Sequence, residues 1–275
     1  MSRKSRNRQL AKLAQRRYEE RRRQQRKRAT IIGVAFGVAL IGLAVLGFEF
    51  LTGNGPNSAA SGTPTPSAAA PGTKTGTVEP SPGPKVVACG AQAPKGATKP
   101  KPQFAGPPPM RLDASKTYTA TIETSCGTFR VRLLADQAPQ TVNSFVFLSR
   151  EGFYDATRIH RIDTSLDIIQ GGDPKGTGTG GPGYSIKDEL SGKESYGPGV
   201  VAMANAGPNT GGSQFFVVYG DKGHTLDPTP NYTIFGRVVK GLDVVRRIAG
   251  VPLQGSSQQP KQAAYLDKVT IDVSG

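Results

Sequence analysis

Eighteen consecutive residues without a charge, Ile31 to Phe48 (IIGVAFGVALIGLAVLGF), constrain this chain more than any other feature. At about 1.5 Å per residue such a run makes about 27 Å of helix, close to the hydrocarbon thickness of a bilayer. Ala29, Thr30 and the stretch through Leu51 supply the remainder with modest tilt. A helix apolar on every face needs either a core or lipid around it, and no core precedes residue 31. The run therefore reads as one transmembrane helix over residues 29–51. The 28 residues before it hold thirteen Lys/Arg against Glu19 and Glu20, a net +11 of the chain's +15. Such an excess stays on the cytoplasmic side and sends the rest of the chain outside. Both the basic arm and the apolar run exceed the usual proportions of a cleaved signal peptide, so a signal-anchor is expected. The arm then lies near anionic headgroups, and no nucleic acid is expected as a partner.

Residues 52–85 are almost all Gly, Pro, Ser, Thr and Ala. A composition of this kind buries too little apolar surface to offset ordering entropy, and it reads as a disordered tether. Residues 86–115 stay Pro-rich but gain Val86, Val87, Cys89, Phe104 and Met110, a leader that rests against the following domain. From residue 116 the pattern changes. YTATIET and TFRVRLL alternate around SCG as a β-hairpin would. Pro139, then Val142, Phe145 and Leu148 up to Gly152, spell a helix. Short strands are expected at 158–162, 200–203, 215–218 and 233–239, with a second helix at LDVVRRIAG and a closing strand at DKVTIDV. Many short strands with two helices and no βαβ alternation predict a mainly β fold, a closed barrel with capping helices.

Several chemistries fail on inspection. GTGTGG (Gly176–Gly181) matches a dinucleotide fingerprint letter for letter, yet it runs into Pro182-Gly183 instead of opening a helix. Nothing resembles G-x-S-x-G, and His160 and His224, the two histidines, flank no nucleophile in sequence. No Cys/His spacing suits a metal, and no cofactor is implied. Cys89 and Cys126 are either a disulfide, as an exported domain would permit, or two free thiols.

What remains is RIHRIDTSLDIIQGGDPKGTGTGGPGY followed by GVVAMANAGPNTGGSQFFVV. His160-Arg161, Gln170-Gly171-Gly172-Asp173, MANAGPNTGGSQFF (Met203–Phe216) and IFGRVVKGLDVVRRI (Ile234–Ile248) resemble the cyclophilin peptidyl-prolyl isomerases, in register over 116–275. The resemblance implies an eight-stranded antiparallel β-barrel capped by two helices, and isomerisation of X-Pro bonds in proline-containing polypeptides. It implies that Arg161 donates to the prolyl nitrogen with Gln170 holding its fork, and that Asn205 and Ala204 grip substrate backbone. Phe216 floors the proline pocket, with Ile168, Leu226 and Tyr232 around it. The chain departs from the family in three places. Eight residues, one more than usual, separate Arg161 from Gln170, so the place of a family Phe falls on Asp167 or, with a bulge, on Leu166. Thr225 stands where a Trp is common, and Tyr232 where a His is common. Weakened aromatic walls leave a second expectation open, a proline-directed binding or chaperone module with little catalysis. Gly106-Pro107 in the leader is a dipeptide such a pocket could accept in cis. Oligomeric state is not legible.

Overall fold

The structure, a computed structural model, describes residues 70–113 and 115–275. The basic arm, the apolar run at 29–51 and the tether as far as residue 69 lie outside the described residues, and the membrane helix expected there with them. Among the described residues no helix is long and apolar enough to cross a membrane.

The hairpin forms where alternation predicts it, as β3 (Thr117–Thr124) and β4 (Gly127–Leu133). Every second residue of each strand is buried, since successive side chains of a strand face opposite ways. The other strands are β5 (Thr157–Ile159), β6 (Arg161–Asp163), β7 (Ile168–Gly171), β8 (Val200–Met203), β9 (Phe215–Val218), β10 (Ile234–Lys240) and β11 (Ala264–Ser274). All pair antiparallel in one sheet of order β5-β11-β3-β4-β10-β8-β9-β7-β6. The sheet contains nine strands rather than the expected eight, because one strand breaks at His160. Its first half, β5, pairs with β11, and its second half, β6, pairs with β7. The His160 amide still donates to Gln170 O at 3.1 Å, so the two ends of the sheet meet at this break and the barrel is nearly closed.

Two helices accompany the sheet, α1 (Pro139–Arg150) and α2 (Leu242–Ala249). Ala138 gives α1 no side-chain cap. Glu189 supplies one from a distant loop, accepting from the Gln140 and Thr141 amides at 2.9 Å each. A carboxylate at that end also suits the positive pole of the helix. The core within the barrel is built on Phe129, Phe145, Phe215, Phe235, Ile162, Ile169 and Leu266, each no more than 1 % exposed. Phe145 sits at its centre, with ring centroids of Tyr154, Phe235 and Phe215 at 5.0, 5.2 and 5.6 Å.

The boundary expected at residue 85 does not separate tether from structure. Lys74–Val78, inside the stretch read as tether, form β1 and pair with β2 (Lys101–Phe104) in a second, two-stranded sheet. The β-branched residues Thr75, Thr77 and Val78 favour an extended chain, but pairing needs a partner 23 residues on, which local composition does not reveal. The leader is fixed to the barrel by Phe104, 1 % exposed and edge-on to Phe147 at 4.9 Å, and by Ala88, which is fully buried. Cys89 and Cys126 are joined as a disulfide with Cα atoms 5.2 Å apart. Gly106-Pro107 does not occupy the pocket. Gly106 O accepts from the Gly72 amide, and Asn143 of α1 donates to the carbonyls of Pro108 and Pro109.

Candidate active site

Strand register sets the site. Arg161 on β6 stands opposite Gln170 on β7, Gln170 opposite Phe216 on β9, and Phe216 opposite Ala202 on β8. Residues directly opposite in a ladder project to the same side, so these four form a row on the outer face of the barrel. Their sequence neighbours Ile162, Ile169, Val217 and Val201 belong to the inner core.

Around that row lies a second apolar cluster, separate from the core. It contains the buried residues Ile168, Tyr196, Ala202, Phe216 and Ile234, with Leu166, Ala204, Leu226 and Tyr232 partly exposed at its edge. Ile168, Ala204, Phe216, Leu226 and Tyr232, five residues expected at a substrate pocket, are thus brought together. The Phe216 and Tyr232 rings meet edge to face at 5.2 Å and 89°. Tyr196 completes the aromatic group, its centroid 6.5 Å from Phe216 and 6.3 Å from Tyr232. Its hydroxyl donates to Tyr232 O at 2.8 Å and accepts from the Tyr232 amide at 3.1 Å. Burial pushes that hydroxyl's pKa up to about 12, so it stays protonated and remains a donor.

The extra residue between Arg161 and Gln170 is absorbed as a local twist at Asp167, whose φ is +51°. Asp167 O accepts from Tyr219, and its carboxylate pairs with Lys222 Nζ at 3.2 Å. That turns Asp167 towards the 3-10 turn Asp221–Leu226 and leaves Leu166 to join the apolar cluster.

Arg161 is held on three sides. Its Nη1 donates to Gln170 Oε1 at 3.0 Å, its Nη2 to Asp163 Oδ2 at 2.6 Å, and its Nε to Gln258 Oε1 at 2.6 Å. Burial pushes the Asp163 carboxyl up, but hydrogen bonds from Ser165 and the Arg161 cation together hold it below the ordinary carboxylate range. Gln170 passes the network on, its Nε2 donating to Gln214 Oε1 at 3.0 Å, and Gln214 Nε2 donates to the carbonyls of Gly178 and Gly180.

Beside the row is a cleft of about 440 Å³ lined by Gln170, Ala204, Asn205, Thr210, Gln214 and the Gly178–Pro182 backbone. Asn205 stands at its rim with Nδ2 donating to Asn231 O at 2.7 Å. The GTGTGG stretch forms the opposite wall as a loop. Asp173, fully buried, accepts from the amides of Lys175, Thr177 and Gly178. Those amides are therefore committed to a carboxylate of the chain itself. Gly172, at φ +81°, has no room for a side chain, since a Cβ would lie 2.4 Å from Ser213 O. A second cleft of about 520 Å³ lies at His160, between residues 82–84 and 254–263, and Arg161 and Phe216 line neither of the two clefts.

Ser195, His224 and Asp227 cluster without forming a nucleophilic relay. Ser195 Oγ and Asp227 Oδ2 both meet His224 Nδ1, at 3.3 and 2.9 Å, whereas a relay needs one partner on each ring nitrogen. Among the described residues no group of three or more His, Cys, Asp or Glu is placed to hold a metal. Sequence reasoning missed Asp163, Gln258 and Tyr196. Only Asp163 carried a signal, a carboxylate two residues from the arginine on the same short strand.

Comparison with known proteins points to one family. Residues 119–271 match the family described as Cyclophilin type peptidyl-prolyl cis-trans isomerase/CLD. A peptidyl-prolyl cis-trans isomerase-like 1 of Neurospora crassa is 48% identical over 139 residues, 48% of this chain and 80% of that protein. A probable peptidyl-prolyl cis-trans isomerase B of Mycobacterium leprae is 37% identical over 198 residues, 66% of this chain and 64% of that one. A solved Cryptosporidium parvum cyclophilin type isomerase, determined in the presence of the dipeptide Ala-Pro, aligns with a TM-score of 0.51 at 32% identity. That alignment covers 56% of this chain and 98% of that one.

Proposed function

Because the chain belongs to the cyclophilin-type peptidyl-prolyl cis-trans isomerases, we infer that it catalyses rotation about X-Pro bonds with Arg161 as the electrophilic group. The observation that carries this reading is the cross-strand row Arg161–Gln170–Phe216, which sets a fixed cation beside an apolar cluster on one face. Amide resonance puts a barrier of about 18–20 kcal/mol on the rotation. As the bond twists, resonance is lost, the prolyl nitrogen gains a lone pair, and a donor aimed there stabilises the twisted state more than either planar one. Three of the five N–H donors of Arg161 are engaged, which leaves two for substrate. Phe216, Ile168, Leu166, Leu226 and Tyr232 would receive the proline ring, and the Cryptosporidium relative was determined in the presence of a proline dipeptide. Ala204 and Asn205 at the cleft would hold the flanking backbone. No covalent step and no base are required.

A prolyl-isomerisation assay on the full chain tests this, wild type against Arg161→Ala. A loss of roughly 10²-fold in kcat/KM is expected, the scale of one removed transition-state donor, and equal rates would defeat the assignment. One observation favours the alternative, a proline-directed binding module: Asp163 already neutralises Arg161 at 2.6 Å. Retained peptide affinity without rate enhancement would select it.

We further propose that the domain lies outside the cytoplasm, anchored by residues 29–51 and acting on exported or envelope polypeptides. It is supported by the charge asymmetry around the apolar run. Carbonate extraction together with protease accessibility in intact cells tests it, and a soluble, protected domain would overturn it.

A further inference from the structure

Asp163 has a double attachment. Its side chain is 3 % exposed, and one of its oxygens, Oδ2, accepts from Arg161 Nη2 at 2.6 Å. The other, Oδ1, accepts from the Ser165 amide at 2.9 Å, the Ser165 hydroxyl at 2.6 Å and the Leu166 amide at 3.3 Å. One carboxylate therefore folds the turn that delivers Leu166 to the apolar cluster and also holds the plane of the guanidinium. Gln258 closes the third side of Arg161 from a loop 97 residues away, and the Gln258 carbonyl is bound by the Ile162 amide at 2.8 Å. Both Asp163 oxygens are engaged within the chain, which leaves neither for a substrate.

We propose that Asp163 is a positioning residue for isomerisation, locking Arg161 in the orientation its reaction needs and coupling that orientation to the Leu166 wall, with Gln258 as an auxiliary clamp. The proposal rests on the reading of Arg161 given above. An unclamped arginine 36 % exposed samples many rotamers and must be ordered anew at each turnover, and misplacing a reacting group by an ångström is costly.

Asp163→Asn isolates the clamp. Its Oδ1 can keep the Ser165 and Leu166 bonds, while Nδ2 presents a donor to the Arg161 donor. In the full chain, kcat is expected to fall about ten-fold with KM within about two-fold of wild type. The Arg161 Nε–H resonance should broaden or exchange faster. In an Arg161→Ala background the same substitution should change kcat by less than about two-fold. Gln258→Ala, at an exposed position that carries no fold risk, should lower kcat in the same direction. Unchanged kinetics in Asp163→Asn and Gln258→Ala would overturn the clamp while leaving the Arg161 assignment intact. Equal losses from Asp163→Asn in both backgrounds would overturn it in favour of a purely structural role. Full activity in Arg161→Ala would remove the underlying assignment instead.

Discussion

Reduction of the Cys89–Cys126 bond is expected to loosen the leader and lower the unfolding temperature by a calculable amount. The bridge closes a segment of 37 residues. Loop-closure entropy for that length corresponds to about 3.8 kcal/mol at 25 °C, and natural bridges commonly realise about 2–4 kcal/mol. For a unit of roughly 200 residues this is a fall of about 5–9 °C in Tm. Cys89 is exposed at the surface and Cys126 is 4 % exposed, so a small phosphine reductant can reach the bond from one side. Without it, the leader keeps Phe104, Ala88 and the β1–β2 pairing, which makes local release of residues 74–104 the first event expected. Thermal unfolding by circular dichroism, with and without reductant, gives the shift. Hydrogen exchange should show the leader opening before the barrel. Cys89→Ala/Cys126→Ala should match the reduced protein and ignore reductant. A shift below about 2 °C, or a double variant as stable as the oxidised protein, would refute the reasoning, because the leader would then be held by packing alone.

Three further outcomes follow from the site and its surroundings. Tyr196→Phe strands the amide and carbonyl of Tyr232 and should cost about 1–2 kcal/mol in denaturant unfolding, with a rise in KM as Tyr232 shifts. Burial holds the His160 imidazole below its ordinary pKa. The unfolded chain therefore takes up a proton as pH falls through about 6.5 while the fold resists it, and stability should drop between about pH 6.5 and pH 5. In His160→Gln that part of the slope should vanish in urea titrations at the two pH values. Gly223→Ala would put a Cβ 2.2 Å from Tyr196 O and 2.5 Å from Val218 Cγ1. It should displace the Asp221–Leu226 turn and raise KM by loosening the Leu226 wall, and kinetics like wild type would show that the turn does not shape the pocket.

How much of this was legible in sequence depends on range. Period-two alternation marks β3 and β4 nearly to the residue, because a half-buried strand writes its exposure directly into its residue types, whereas β8 and β9 are marked by short apolar runs buried at every position. The strand broken at His160 was foreseen as one piece, since only the switch of partner from β11 to β7 splits it. Strand β1 was read as tether because its pairing is set from a distance. Of the outer cluster, Ile168, Phe216, Leu226 and Tyr232 are named by a motif, whereas Tyr196 and Gln258 lie 36 and 97 residues from the groups they hold. Nothing local distinguishes them from any other tyrosine or surface glutamine. The choice between Asp167 and Leu166 turned on a single backbone angle.

The strands of the site carry two messages in alternate letters. On β9, Phe215 and Val217 speak to the interior and Phe216 and Val218 to the outer cluster. An exchange of even-numbered residues there would alter the outer cluster while leaving the inward-facing residues of the strand unchanged. The reverse also holds: a slip of one residue would exchange the messages wholesale. Under the proposed function, the pairing register is therefore as much an element of recognition as the side chains that would receive proline.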